Sequence, residues 1–281
     1  MTKATKRGLF YSAVVIFILA SYIMIFYAQG YKFNFDDFGF YRTGSIHIKT
    51  NIGADVYLDD KKSGSTSFLS NSHTINGLLP GEYPVRVQRK DNYSFWEKNI
   101  RVEEGLVSEF SKIVLFPIFG EEKEIFVTEL ESMLYPSSSL NDTAVLTPVP
   151  KPTPKKSSPV LSPTHLIDTE PFYIERDILY KNNGLGNNPS QLAVNVKGFS
   201  LSQDNSKILY WSGRELWVVW LKKTDYQPIR EADNKERIIR LSRPIKKAVW
   251  YLNEDWIVAD DGKAYKLVEI DNREKINVVI F

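Results

Sequence analysis

Among 281 residues, 36 Lys and Arg stand against 34 Asp and Glu, a net charge of +2, and cysteine is absent. A chain of this length accommodates two compact parts with connecting segments. Charges of both signs are interspersed, which argues against nucleic acid as a partner, and the lack of thiols excludes disulfide frameworks, thiolate metal sites and cysteine nucleophiles.

From Gly8 to Tyr31 no residue is charged, and LFYSAVVIFILASYIMIFYA (9–28) is apolar or aromatic apart from Ser12 and Ser21. As a helix rising about 1.5 Å per residue, this run spans a hydrocarbon core about 30 Å thick. It is longer than the apolar region of a signal peptide, and FYAQG is a poor cleavage site because Tyr27 and Gln29 flank Ala28. An uncleaved anchor is therefore expected over residues 8–31, with Tyr27 and Tyr31 in an outer aromatic belt. Lys3, Lys6 and Arg7 precede the span, while Asp36 and Asp37 follow it. The positive-inside bias predicts a cytoplasmic tail at 1–7, a juxtamembrane segment at 32–43 and an extracytoplasmic location for the rest.

Residues 44–117 hold short alternating runs: GSIHIKT with Ile46 and Ile48 on one face, ADVYLD with Val56 and Leu58, EYPVRV with Tyr83, Val85 and Val87, then FWEKNIRV and FSKIVLF. Turn residues separate them at Asp59-Asp60-Lys61-Lys62-Ser63-Gly64, Pro80-Gly81 and Glu103-Glu104-Gly105, a pattern that predicts a small antiparallel β-sandwich. Pro80-Gly81 suits a type II turn with Gly81 at positive φ. Pro84 lacks a ladder donor, so its strand is expected at a sheet edge or paired there only through its carbonyl side.

GSIHIKT, GADVYLDDKKSG, LLPGEYPVRVQRKDNY and FWEKNIRVEEGLVSEFSKIVLFP together resemble the PEGA domain, a small Ig-like β-sandwich module of bacterial and archaeal surface proteins. The departures are Ile52, where the family commonly has Pro before Gly-Ala, and Thr66-Ser67 in place of Thr-Pro. The resemblance implies an envelope or surface-layer type module without catalytic residues.

Residues 118–135 read as a connecting strand region. From 136 to 166 the composition turns to Pro and Ser, with prolines at 136, 148, 150, 152, 154, 159 and 163. Such a run favours an extended spacer over a docking ligand, and Lys151, Lys155 and Lys156 could touch anionic envelope polymers.

Within 167–281 the chain matches itself at a period of 49 residues: VKGFSLSQDNSKILYWSGRELWVVWL (196–221) lies over IKKAVWYLNEDWIVADDGKAYKLVEI (245–270). After a shorter loop, NKERIIRL (234–241) lies over NREKINVV (272–279). Each copy reads as four strands, and that period points to β-propeller blades. FSLSQDNSKILYWSGRELWVVWL resembles the WD40-like and TolB-like blades of bacterial envelope proteins, with YLNED replacing SLSQD in the second copy. A degenerate partial blade is expected around 171–184. Only these blades are evident, and VVIF at 278–281 is expected to leave an open apolar edge, which invites self-association.

No catalytic, cofactor or metal residues are assigned. His47, His73 and His165 lack ligand spacing, and there is no HExxH, Walker A, GxGxxG, GxSxG or SxxK motif. GLGNN (184–188) reads as an ordinary turn. The acidic pairs Asp36-Asp37, Asp59-Asp60 and Asp260-Asp261 read as turns whose carboxylates point apart into water, unlike the facing pair of a glycosidase. Trp211, Trp217, Trp220, Trp250 and Trp256, like Trp96 beside Tyr93, are expected in core packing ahead of glycan stacking.

The expectation is a non-enzymatic, membrane-anchored cell-envelope protein: an all-β outer region of sandwich plus partial propeller, behind one N-terminal transmembrane helix. Its partners would be the membrane and an envelope protein or cell-wall glycan. The alternatives are an extracytoplasmic sensor working with a signalling partner, and an envelope glycan hydrolase.

Overall fold

The computed structural model describes residues 3–35, 37–90, 92–136, 171–184, 187–251 and 254–281. The Pro-rich linker beyond Pro136, with Lys151, Lys155, Lys156 and His165, lies outside the described residues, as do Asp36, Leu185 and Gly186 of GLGNN, and Leu252 and Asn253 of YLNED. The protein is mostly β-sheet with one apolar helix at its N-terminus. It divides into two compact units: Met1–Lys123 with Asp225–Ile229 and Asp271–Val279, and Glu124–Thr224 with Arg230–Ile270 and Ile280–Phe281.

Unit 1 begins with α1 (Lys3–Ala28), whose stretch Thr5–Ala28 is long and apolar enough to cross a membrane. Most of its side chains face outward, Phe17 being 71% and Met24 74% exposed, while Ser21 and Phe26 are half-buried. After a hairpin, β1 (Tyr31–Asn34) and β2 (Gly39–Arg42), come β3 (Gly44–Thr50), β4 (Asp55–Leu58), β5 (Lys61–Ser65), β6 (Ser72–Leu78), β7 (Gly81–Gln88), β8 (Trp96–Val102) and β9 (Val107–Ile113). They form two sheets, β6-β3-β9 and β5-β4-β7-β8. Period-2 alternation puts Ile46, Ile48, Val56, Val85, Val87, Trp96 and Ile100 in the core, each contributing roughly 1.5–3 kcal/mol on burial. Trp96 and Phe110 meet edge-on across the two sheets at 5.4 Å.

Two expectations for this region are corrected, and for Pro84 the second of the two alternatives, pairing through its carbonyl side, is met. The sheets are not purely antiparallel, because β9 returns to the first sheet parallel to β3. Gly81 does not take a left-handed conformation; that falls to Gly77, at φ 70°, and Leu79-Pro80 carries the chain from one sheet to the other instead of closing a hairpin. Pro84 sits in β7, an interior strand between β4 and β8. Its carbonyl accepts from Asp59 N–H (3.1 Å), just past the end of β4. The missing N–H faces that same side, because a strand residue's donor and acceptor point together, so no ladder bond to β8 is lost.

Residues 118–135 are not a strand. They contain α2 (Gly120–Leu134), because Phe126, Leu130 and Leu134 recur every fourth residue and are all buried. Glu121 and Glu122 in its first turn suit the positive end of the helix dipole.

Among its described residues, unit 2 holds three successive sheets. The first, which includes the partial repeat read at 171–184, comprises β10 (Phe172–Glu175), β11 (Ile178–Lys181) and β12 (Ser190–Val194). The second is β13 (Gly198–Leu201), β14 (Lys207–Trp211), β15 (Glu215–Trp220) and β16 (Lys235–Arg240). The third is β17 (Lys247–Trp250), β18 (Trp256–Asp260), β19 (Tyr265–Glu269) and β20 (Val278–Ile280). Each four-stranded sheet is in sequence order, and β13 and β14 recur as β17 and β18 at the 49-residue spacing. The fourth strand departs from the repeat alignment: β20 is confined to 278–280, and Asp271–Val279 groups with unit 1.

Burial shows how these sheets are covered. Every residue of β14 and of β18 is buried, whereas β11 buries only Leu179. A strand buried at consecutive positions is covered on both faces of its sheet. For the second sheet, Leu179, Ala193, Ile208, Tyr210 and Val219 form one cluster with the first. On its other side, Trp250 donates to the Ser200 carbonyl at 3.1 Å.

For the third sheet, Trp250 faces the second, so the odd-numbered residues of that strand face away. On that away side lies α2. Phe126 packs on Tyr251 and on Phe281 at ring distances of 6.2 and 5.2 Å, and Lys247 lies over the Tyr135 ring at 5.2 Å. β20 is the edge strand of its sheet, as expected for VVIF; on its inner side Phe281 exchanges both backbone hydrogen bonds with Tyr265, and the Phe126 ring packs on the Phe281 side chain.

Candidate functional site

In β8, alternation places Trp96, Lys98, Ile100 and Val102 on the inward face, and all four are buried. A lysine at an inward position needs partners, since an unpaired buried ammonium is strongly disfavoured. Lys98 donates to the carbonyls of Asp271 (2.6 Å) and Arg273 (3.0 Å) and lies 3.8 Å from the Asp271 carboxylate. It thus clamps the segment Asp271–Val279 onto the strand.

Arg273 extends the clamp. Its guanidinium forks onto the Asp271 carboxylate, donates to the Glu109 carbonyl (2.7 Å) and Gln227 Oε1, and stacks 3.8 Å from the centre of the Phe110 ring. Gln227 in turn accepts from Glu109 N–H and donates to the Val107 carbonyl. Nearer the other end of β8, Lys275 pairs with Glu97, which also meets Arg86. The hydrogen bond from Lys275 is the main reason the Glu97 carboxyl titrates below the usual range.

Two concavities flank this clamp. One, about 580 Å³, is lined by Asn99, Arg101, Leu106, Phe110, Gln227 and Arg273 among others; the second, about 490 Å³, is lined by Asp60, Arg86, Glu97, Asn99 and Lys275 among others. Asn99 and Arg101 lie on the outward face of β8, and charges of both signs rim each cleft. Amide, guanidinium and carboxylate groups of this kind recognise polar ligands by hydrogen bonds. Among the described residues no group of three or more His, Asp or Glu side chains could hold a metal ion.

The residues singled out in the sequence are dispersed. His47 shares a 2.8 Å hydrogen bond with Thr74, and His73, whose pKa burial pushes down, sits beside Ser63. Asp59 and Asp60 form the β4–β5 turn at φ 49° and 58°. Asp37 accepts from the Tyr41 hydroxyl. Asp260 is the last residue of β18 and Asp261 opens the turn that follows it, and contrary to expectation both are buried and not solvated. Asp260 accepts from the Tyr135 hydroxyl and Gly262 N–H, while Asp261 accepts from the N–H groups of Lys263 and Ala264 and pairs with Lys266 at 2.8 Å. Burial raises the Asp261 pKa, but these hydrogen bonds outweigh it and the net shift is downward.

Trp96, Trp211, Trp220, Trp250 and Trp256 are buried, in line with core packing. Trp217 is half-buried, stacked parallel to Tyr210 at 6.0 Å with Lys235 over both rings. Sequence reading missed Lys98 and Arg273. Lys98 was detectable as a charge at an inward position of the FWEKNIRV alternation, whereas nothing local marks Arg273.

Comparison of the chain with family models, curated proteins and solved structures returns no match.

Proposed function

We propose that this chain is a single-pass, membrane-anchored cell-envelope protein that binds or scaffolds without catalysing a reaction. α1 would cross the membrane with its N-terminus in the cytoplasm, displaying a PEGA-like β-sandwich and a stack of propeller-like blades outside. The observation that carries the reading is α1 itself, with no buried residue along an apolar length sufficient to span a bilayer and followed by a mostly β remainder. The two facing sheets of unit 1 support the sandwich, and the in-order four-stranded sheets at a 49-residue spacing support the blades. In this reading α2 stands where a further blade would stack, which removes the need for propeller closure.

An envelope protein or cell-wall glycan is the proposed partner, and the polar clefts beside β8 are the proposed contact region. Co-sedimentation of the full chain, in detergent, with isolated cell-wall glycan and capture of envelope proteins on the immobilised chain test this. Binding that Asn99→Ala and Arg101→Ala weaken is the expected result; no binding to either class would refute it.

A further inference from the structure

The hairpin β1–β2 has two unlike faces. Register pairs Tyr31 with Arg42, Phe33 with Phe40, Lys32 with Tyr41 and Asn34 with Gly39. Side chains alternate along a strand and match across a pair, so Tyr31, Phe33, Phe40 and, at the hairpin base, Arg42 share one face while Lys32, Asn34 and Tyr41 share the other. Phe35 and Phe38 join the aromatic face, with ring centres 5.0 and 6.2 Å from Phe33. On the opposite face Tyr41 donates to the Asp37 carboxylate, which draws that acid away from the aromatic side.

This aromatic face is open yet continuous with α1. Phe26 of the helix packs on Tyr31 and Phe40 at 5.2 and 5.3 Å, and Phe33 meets Phe40 at 5.0 Å, so one chain of rings runs from the helix to the hairpin tip. Phe35 and Phe38 remain 76% and 77% exposed. Two bare phenylalanines are costly in water, at roughly 25 cal/mol per Å² of apolar surface. Only Gln29 and Gly30 separate the helix from the hairpin, so this face emerges where a membrane crossed by α1 would end, at the depth that favours aromatic side chains.

We infer that the aromatic face of β1–β2 is a lipid-binding surface that lies in the headgroup and upper acyl region of the membrane crossed by α1. The inference rests on the proposed anchor role of α1. The hairpin adds a second membrane contact beside the helix, restraining how far the β-sheet region can swing away from the bilayer. The occupant is the bilayer interface and not another protein, because the rings continue the surface of a helix whose own side chains are apolar and outward.

The natural absence of cysteine permits a direct test. Single-cysteine variants of the full chain at 18, 32, 35, 38, 40, 41 and 61 would carry nitroxide labels in phosphatidylethanolamine and phosphatidylglycerol nanodiscs. Collision with oxygen and with a nickel chelate reports the depth of each label. The expected result is a bilayer-centre label at 18, labels at 35, 38 and 40 within about 10 Å of the headgroup boundary, and water-exposed labels at 32, 41 and 61.

Water-like labels at 35, 38 and 40 with 18 in the bilayer centre would overturn the inference and leave the anchor standing. A water-like label at 18 would overturn both. Photolabelling of the unsubstituted chain by diazirine-bearing lipid supplies a readout independent of any variant. Adducts on peptides containing Phe35, Phe38 and Phe40 are expected, and adducts confined to α1 would refute the proposal.

Discussion

Leu130→Ala tests whether α2 caps the sheet stack. Leu130 is fully buried, and the substitution removes three carbons, about 2.4 kcal/mol at roughly 0.8 kcal/mol per methylene. A cavity adds to this, up to about 5 kcal/mol in sites that do not relax, but a helix lying on a sheet can settle inward and close part of the gap. Alanine also keeps the helix intact, so the loss belongs to packing and not to helix propensity. We expect a cost of about 3 kcal/mol. Ile125, on the same helix but 63% exposed, should lose less than about 0.5 kcal/mol on change to alanine. Urea unfolding of the full chain in detergent, followed by tryptophan emission, reads both, since Trp250 and Trp256 lie in the sheet that α2 covers. Equal midpoints for the two variants would refute the capping role.

Lys98→Met keeps the bulk of the side chain but leaves the Asp271 and Arg273 carbonyls without their charged donor; with Arg273 still holding Asp271, a loss of about 2–4 kcal/mol is expected in the same unfolding assay. A loss below about 1 kcal/mol would show that the clamp is incidental. Burial acts to raise the Asp204 pKa, but hydrogen bonds from Ser206 and Ser202 and the nearby Lys207 prevail and hold it at about 2. A folded value below the unfolded one stabilises the fold above the ordinary carboxylate range and loses that contribution as pH falls toward 2. The melting-temperature gap between the natural chain and Asp204→Asn should therefore narrow progressively below pH 4; a gap constant from pH 6 to pH 2 would refute the assignment. Because Asp59 and Asp60 both hold positive φ in a two-residue hairpin, Asn-Gly in their place should raise the melting temperature, worth up to about 1 kcal/mol, and a lowered one would contradict the turn geometry.

Local patterning carried much of the fold. The uncharged run at 8–31 marked α1, the period-2 runs marked β3, β4, β7 and β8 with their inward residues, and the 49-residue repeat marked β13–β15 and β17–β19. Each of these depends on side-chain periodicity or backbone turn chemistry, which neighbours in sequence settle among themselves. Pairing across the chain was not legible in that way. Whether Pro84 lies at an edge, whether β9 runs parallel to β3, and which face of the last sheet α2 covers depend on long-range partners.

The candidate site shows the same division. Alternation alone placed Lys98 on the inward face of β8, a fact about residues 96–102. What makes that position tolerable is a pair of carbonyls and a carboxylate more than 170 residues later in the chain. Sequence determined that a charge would be buried there, and only the tertiary structure supplied its partners, because a buried ammonium is satisfied by whatever acceptors the fold brings near and not by its neighbours along the strand.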